Sequence, residues 1–157
     1  MTYKKILLAL DMNDKGTVLF EEALGLARAG GAELALLCCI EEETVAEADE
    51  RVATTSELNL ADSQRVLDRQ RIDRLGHVRA WLDSLARRAS EVGVSARVDA
   101  EEGDPAKRIC EMAQHWGADL IVLGHSGRHP VRELFLGDIN RHVVRCAPCA
   151  VLITKRV

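Results

Sequence analysis

Aromatic residues are scarce, 3% of 157, and the scarcity excludes a class of function. Proteins that hold single-stranded nucleic acid stack its bases on aromatic rings, and two Trp, two Phe and one Tyr leave almost nothing for that purpose. A surplus of positive charge is missing too. The net charge of −4 argues against a protein that tracks a phosphate backbone. No apolar run approaches the roughly 20 residues of a membrane span. Tyr3-Lys4-Lys5-Ile6 leads straight into a strand and not into a secretory leader, so the chain is expected in the cytoplasm, with neither membrane nor nucleic acid as partner. A regular set of cysteines is also absent. Five at irregular spacing, with Cys38 and Cys39 inside an apolar run, predict reduced thiols. What remains is an ordinary globular balance, 47% hydrophobic and 29% charged, at a length that suits one domain spanning 1–157.

Lys4 to Leu10 reads as an apolar strand closing in the polar turn Asp11-Met12-Asn13-Asp14. Leu19, Ala23, Leu26 and Ala27 then recur at helical spacing, and Gly30-Gly31 stops that helix. Glu33 to Ile40 is a second buried strand. Strand, helix, strand with short connections means parallel pairing and a right-handed crossover. Residues 41–58 break the pattern. Seven acidic residues there face one Arg51, which predicts a solvated loop or a short exposed helix. Leu67, Ile72, Leu75, Val78, Leu82, Leu85, Ala89 and Val92 describe a long amphipathic helix, its outer face carrying arginines interleaved with aspartates. Gly93 ends it, and Val94 to Ala100 forms a third strand. Asp104 is placed to cap the next helix with Pro105 at its first position, and Ile109, Met112, Ala113 and Trp116 give it a buried stripe.

The stretch around which the rest is arranged follows. Leu120 to Gly124 is an apolar run that breaks at Gly124 and Gly127 and reaches a third glycine at Gly137. A helical pattern begins at once behind it, with Ile139, Val143 and Cys146 on one stripe. Strand, glycine turn and helix start is the arrangement in which backbone N–H groups can meet a phosphate. Glycine lacks the Cβ that would hold a ligand away, and a helix start supplies free donors. Pro148 to Thr154 is a fifth strand. Five strands alternating with helices predict a doubly wound α/β sheet with helices on both faces. Ligands in such sheets sit beyond the strand C-termini at the switch point. Strands one and four form that point, with Asp11 and Asn13 opposite Gly124 and Gly127.

The segments Ile6-Leu7-Leu8-Ala9-Leu10-Asp11, Gly103-Asp104-Pro105-Ala106, Gly117 to Gly124 and Arg145-Cys146-Ala147-Pro148-Cys149 through Ile153 together resemble the universal stress protein family over nearly the whole chain. The spacing Gly124-x2-Gly127-x9-Gly137 resembles the pattern of that family's ATP-binding branch. The resemblance implies a sheet ordered 3-2-1-4-5 and a homodimer that pairs the last strands, Pro148 to Thr154. It further implies an adenine nucleotide, with or without Mg²⁺, bound by Asp11, Met12, Asn13, Ile40, Gly124, His125, Ser126, Gly127, Arg128, Gly137, Asp138, Ile139 and Asn140. Asp11 would accept from the adenine amino group, and the glycine loop would wrap ribose and phosphates. Hydrolysis, if any, would be slow, because no residue has the marks of a general base over a γ-phosphate.

One departure is informative. Where the ATP-binding branch carries Ser or Thr after the third glycine, this chain has Asp138, and the serine two positions on is Asn140. An ionised carboxylate accepts but cannot donate, and it competes for the same helix-start N–H groups. Two unit charges about 4 Å apart repel by ~4 kcal/mol at an effective dielectric near 20, against roughly −8 kcal/mol for micromolar binding. A bridging Mg²⁺, or Arg128, Arg132 and Arg141, would offset this. Asp138 also suits a plain N-cap. The alternative is therefore a regulatory or protein-interaction dimer of the same fold that binds no nucleotide.

Other chemistries fit less well. Gly124-His125-Ser126-Gly127 closes one residue early for a nucleophile elbow, and the strands expected after it are missing. Cys146-Ala147-Pro148-Cys149 has redox spacing, but it lies at a helix end, where the dipole opposes a thiolate. His125, His129 and His142 with Asp138 have no spacing that fixes a metal geometry. A phospho-receiver would need an aspartate ending strand three, where Glu101 and Glu102 stand.

Overall fold

In a computed structural model, residues 2–41, 60–125 and 137–155 are described. The acidic segment and most of the glycine loop, with Ser126, Gly127, Arg128, His129 and Arg132, lie outside them. The described residues form β1 (Lys5–Ala9), α1 (Asp14–Gly30), β2 (Glu33–Ile40), α2 (Leu60–Glu91), β3 (Ala96–Glu102), α3 (Pro105–Trp116), β4 (Leu120–Gly124), α4 (Asp138–Cys146) and β5 (Ala150–Thr154). The strands make one parallel sheet in the order β3-β2-β1-β4-β5.

Each central strand is apolar on both faces because each face is covered by helices. Ile6 and Leu8 of β1, with Leu10 just beyond it, join Leu34, Leu36 and Cys38 beneath α1 and α2. Leu7, Ala35, Leu37, Ile121 and Leu123 pack the other way, against Ala106, Ile109 and Ala113 of α3 and Val143 of α4. At the N-terminal edge Asp119 ties β4 to β1. Its carboxylate accepts from the Lys4 and Lys5 amides at 2.8 and 3.1 Å, and its own amide donates to the Lys5 carbonyl at 2.9 Å.

Several boundaries differ from the sequence reading. The buried stripe of α1 is Leu19, Phe20, Ala23, Leu24 and Ala27, whereas Leu26 is 43% exposed. β3 runs two residues later than expected, because Val94 folds back to the helix, its amide donating to Ala89. β5 begins at Ala150 and not Pro148. α2 starts seven residues before Leu67 and is 32 residues long, about 48 Å at 1.5 Å per residue. That is far longer than the sheet is deep. Arg71 already pairs with Glu102 at the C-terminal end of β3 (3.1 Å), so the turns before it reach past the sheet. Ile72, expected to be inward, is 65% exposed although Leu67 and Leu75 on either side of it are half-buried: at 3.6 residues per turn it lies about 120° round the helix from Val78, off the buried stripe.

Candidate functional site

β1 and β4 pair directly, Ala9 beside Leu123, while the chain leaves them toward opposite faces. A crevice results at their C-terminal ends. On the β1 side stand Asp11, Met12 and Asn13, all exposed. Asn13 caps α1: its Oδ1 accepts from the Gly16 amide at 2.9 Å. The turn is tight, since the Asn13 amide also donates to the Asp11 carbonyl at 2.8 Å. Gly16 makes this turn possible. A Cβ there would lie 2.1 Å from the Asp11 carbonyl oxygen and 3.1 Å from the Trp81 ring. That glycine, and Trp81 behind it, were not among the residues singled out from sequence.

The floor below Asp11 is the second strand. Ile40 is half-buried at its end, and its carbonyl accepts from Gly103 at 3.0 Å. Burial pushes the Cys38 thiol up to about 11; the Asp11 carboxylate acts the same way, and a hydrogen bond with the Met12 backbone opposes both. Burial, then Cys38 and Glu101, push Cys39 to about 12, with Arg108 acting against them. Both thiols therefore stay neutral at pH 7 and serve as packing.

On the β4 side Gly124 is half-buried, and the His125 amide extends the ladder to the Thr154 carbonyl at 2.9 Å. Glycine at 124 is not demanded by the fold. An added Cβ would make one ordinary contact, 3.5 Å to Leu19 Cδ2. Nor does backbone conformation demand it at Gly137, where φ −57° and ψ 160° suit any residue.

Gly137, and not Asp138, is the N-cap of α4, and among the described residues no side chain caps that helix. Asp138 occupies the first helical position and is exposed. Ile139 is half-buried against the α3 layer. Asn140 is 2% exposed, and its Nδ2 donates to the Gly124 carbonyl at 3.1 Å. That amide is engaged in holding the first turn of α4 against the end of β4. Leaving a buried partner unpaired costs about 1–3 kcal/mol. The structure thus brings together Asp11, Met12, Asn13, Ile40, Gly124, His125, Gly137, Asp138, Ile139 and Asn140 at one edge of the sheet.

The expectation of reduced thiols throughout is corrected. Cys110 and Cys146 form a disulfide, while Cys38, Cys39 and Cys149 are free. The physical reason is that α3 and α4 lie side by side on one face, which brings the two Cα atoms to 6.0 Å. Cys146 and Cys149 are consequently no redox pair. Among the described residues no three His, Cys, Asp or Glu side chains converge as metal ligands. A separate cleft of about 670 Å³ lies between α3 and β3. Its charges neutralise one another, Arg97 with Asp99 at 3.8 Å and Arg108 with Glu111 at 3.4 Å. Among the described residues no helix is long and apolar enough to cross a membrane.

Comparison with known proteins agrees with this architecture. Residues 2–155 match the family model described as the universal stress protein family. The chain is 30% identical over 155 residues to the universal stress protein Sll1388 of Synechocystis sp., covering 99% of both. Among solved structures it superposes on the universal stress protein UspA from Lactobacillus plantarum with a TM-score of 0.77 and 23% identity, covering 99% of both chains. A universal stress protein in complex with cAMP matches at a TM-score of 0.65 and 20% identity, covering 99% of this chain and 98% of that one.

Proposed function

Because this chain belongs to the universal stress protein family, we propose that it binds an adenine nucleotide in the crevice between β1 and β4. The observation that carries this reading is the start of α4. Its N-cap is a glycine, which brings no capping side chain of its own, and Asn140 fastens it to the end of β4. A helix start offers N–H donors and a partial positive charge to an anion. Glycines flank it at 124 and 137, the first where an added Cβ would make only one ordinary contact and the second in a backbone conformation open to any residue. A relative of the same fold crystallised with cAMP supports the ligand class.

In this reading Asp11 accepts from the adenine amino group, and exposed Met12 (51%) offers the ring an apolar flank. Asn13 has its oxygen engaged in the helix cap, which leaves its amide hydrogens for ribose. Gly124, Gly127 and Gly137 admit backbone donors to ribose and phosphates, with Ser126 and Arg128 as polar contacts. Any Mg²⁺ would rest mainly on the phosphates, with Asp138 beside it. No residue is assigned a catalytic role, and hydrolysis would be slow.

Asp138 sets how much charge the site accepts. Its exposure weakens the repulsion through solvent screening. Asp138→Ser is therefore expected to tighten ATP about tenfold, a difference of ~1.4 kcal/mol, while AMP changes much less. Calorimetric titration of AMP, ADP and ATP to millimolar concentration, with and without Mg²⁺, checks both points. Absence of saturable binding in either protein would remove the nucleotide reading and leave the regulatory dimer that binds none.

The dimer is proposed to form through β5. That edge strand carries Leu152, 41% exposed, near the end of a helix carrying Val144, 51% exposed. Leu152→Asp is expected to raise the dimer dissociation constant at least tenfold by placing a charge in a pairing edge. Sedimentation equilibrium reads the change; a parent protein already monomeric at 100-fold above micromolar concentration would rule the edge out.

A further inference from the structure

α4 is a short helix with few anchors. Of its nine residues only Asn140 and Val143 are buried. A helix of that length does not persist alone in water and depends on what holds it. Its first turn is held by the Asn140 hydrogen bond, its middle by Val143, and its last residue by the bond from Cys146 to Cys110 on α3. The covalent anchor is the one within reach of solvent, since Cys146 is exposed and Cys110 half-buried. The two cysteines are 36 positions apart, and the interval between them contains β4, the whole stretch from Gly124 to Gly137, and α4. Every glycine assigned to the nucleotide loop therefore lies inside one covalent ring. The nearby free thiol, Cys149, shares the apolar cluster with Cys110, and burial and then Asp119 raise its pKa, which disfavours the thiolate that exchange needs. A small thiol from outside is the better attacker on the exposed Cys146 sulfur.

We propose that the Cys110–Cys146 disulfide is a redox-sensitive clamp on α4, opened by thiol exchange at the exposed Cys146 sulfur, and that opening it weakens anion binding at the start of that helix. The second half of this statement rests on the nucleotide reading above. A thiolate of a small thiol or dithiol attacks Cys146 Sγ. The protein S–S bond breaks, and its electron pair leaves with Cys110 Sγ, which takes up a proton. A second thiolate attacks the reagent's sulfur in the mixed disulfide and releases Cys146, which is protonated in turn. Two reagent thiols are oxidised to one disulfide as the protein disulfide is reduced to two thiols.

The test uses the full chain, air-oxidised or treated with dithiothreitol, with two readouts. Amide hydrogen exchange over minutes is expected to be at least tenfold faster across residues 139–146 after reduction, with β1 and β2 still protected. The ADP dissociation constant is expected to rise about tenfold. A Cys110→Ser/Cys146→Ser double variant should match the reduced protein and ignore the reductant, whereas Cys149→Ser should still respond. Exchange in α4 that reduction leaves unchanged overturns the clamp. Faster exchange with an unchanged ADP constant overturns its control of the site. ADP binding to neither form sinks the nucleotide reading, and hydrogen exchange alone then decides the clamp.

Discussion

Gly16→Ala should destabilise the protein by about 3 kcal/mol and weaken nucleotide binding at the same time. The added Cβ would meet the Asp11 carbonyl oxygen at 2.1 Å, where a carbon–oxygen contact normally needs about 3.3 Å. The obstacle is backbone, so no side-chain rotation relieves it. On the other side the Trp81 ring, at 3.1 Å, closes the escape. Either the first turn of α1 lifts from the sheet or the Asp11-Met12-Asn13 turn shifts by about 1 Å. Overpacking of this kind costs 1–3 kcal/mol and more when backbone must move. For a domain of this size that is a melting temperature roughly 6–12 °C lower. Differential scanning calorimetry measures the first effect and nucleotide titration below the transition the second. A variant as stable as the parent would show that the turn does not press on α1.

Phe20→Ala is the larger loss of stability and should leave the site alone. Phe20 is fully buried between α1 and the sheet, with the Arg88 guanidinium 5.5 Å from its ring centroid. Emptying such a position costs about 3–5 kcal/mol, the lost transfer energy plus the cavity. Arg88 also pairs with Glu21, which keeps it over the position after the ring is gone. Phe20→Leu should cost roughly half as much, since most of the volume returns. Urea midpoints separate the two variants. Nucleotide affinity, measured where each remains folded, should match the parent. A large affinity loss in Phe20→Ala would mean that the core and crevice are coupled more tightly than their separation in the fold suggests.

The contrast between these residues shows what the sequence makes legible. Phe20 stands beside Leu19 on an apolar stripe, yet periodicity singled out Leu26, which the structure leaves exposed. The direction of a helical face is set by where the sheet lies, and spacing alone rotates it by a residue. The alternation of strands and helices, the switch point and the Asp104 cap were readable because apolar runs, glycine stops and an Asp-Pro pair are local signals, while the sheet order came from the family resemblance. Gly16 was silent in the sequence: its necessity comes from a carbonyl five positions earlier and a tryptophan on another helix. Asn140 gave no sign that it turns inward, because its partner is the Gly124 backbone. The same holds for Cys110 and Cys146, which meet only after β4 has placed α4 beside α3. Ile72 failed as Leu26 did: it lies about 120° round the helix from Val78 and faces away from the sheet, while Leu67 and Leu75 stay half-buried.

The Asp119 carboxylate, which receives the amides of Lys4 and Lys5 from 115 and 114 positions away, has a bearing on biosynthesis. β1 gains its second neighbour, β4, only after α1, β2, α2, β3 and α3 have been made. Before α3 and α4 follow, the side of β1 and β2 bearing Leu7, Ala35 and Leu37 has neither above it and presents a bare apolar sheet to the cell. The nascent protein is therefore most in need of a chaperone midway through translation, and least once residue 143 has emerged to close that side.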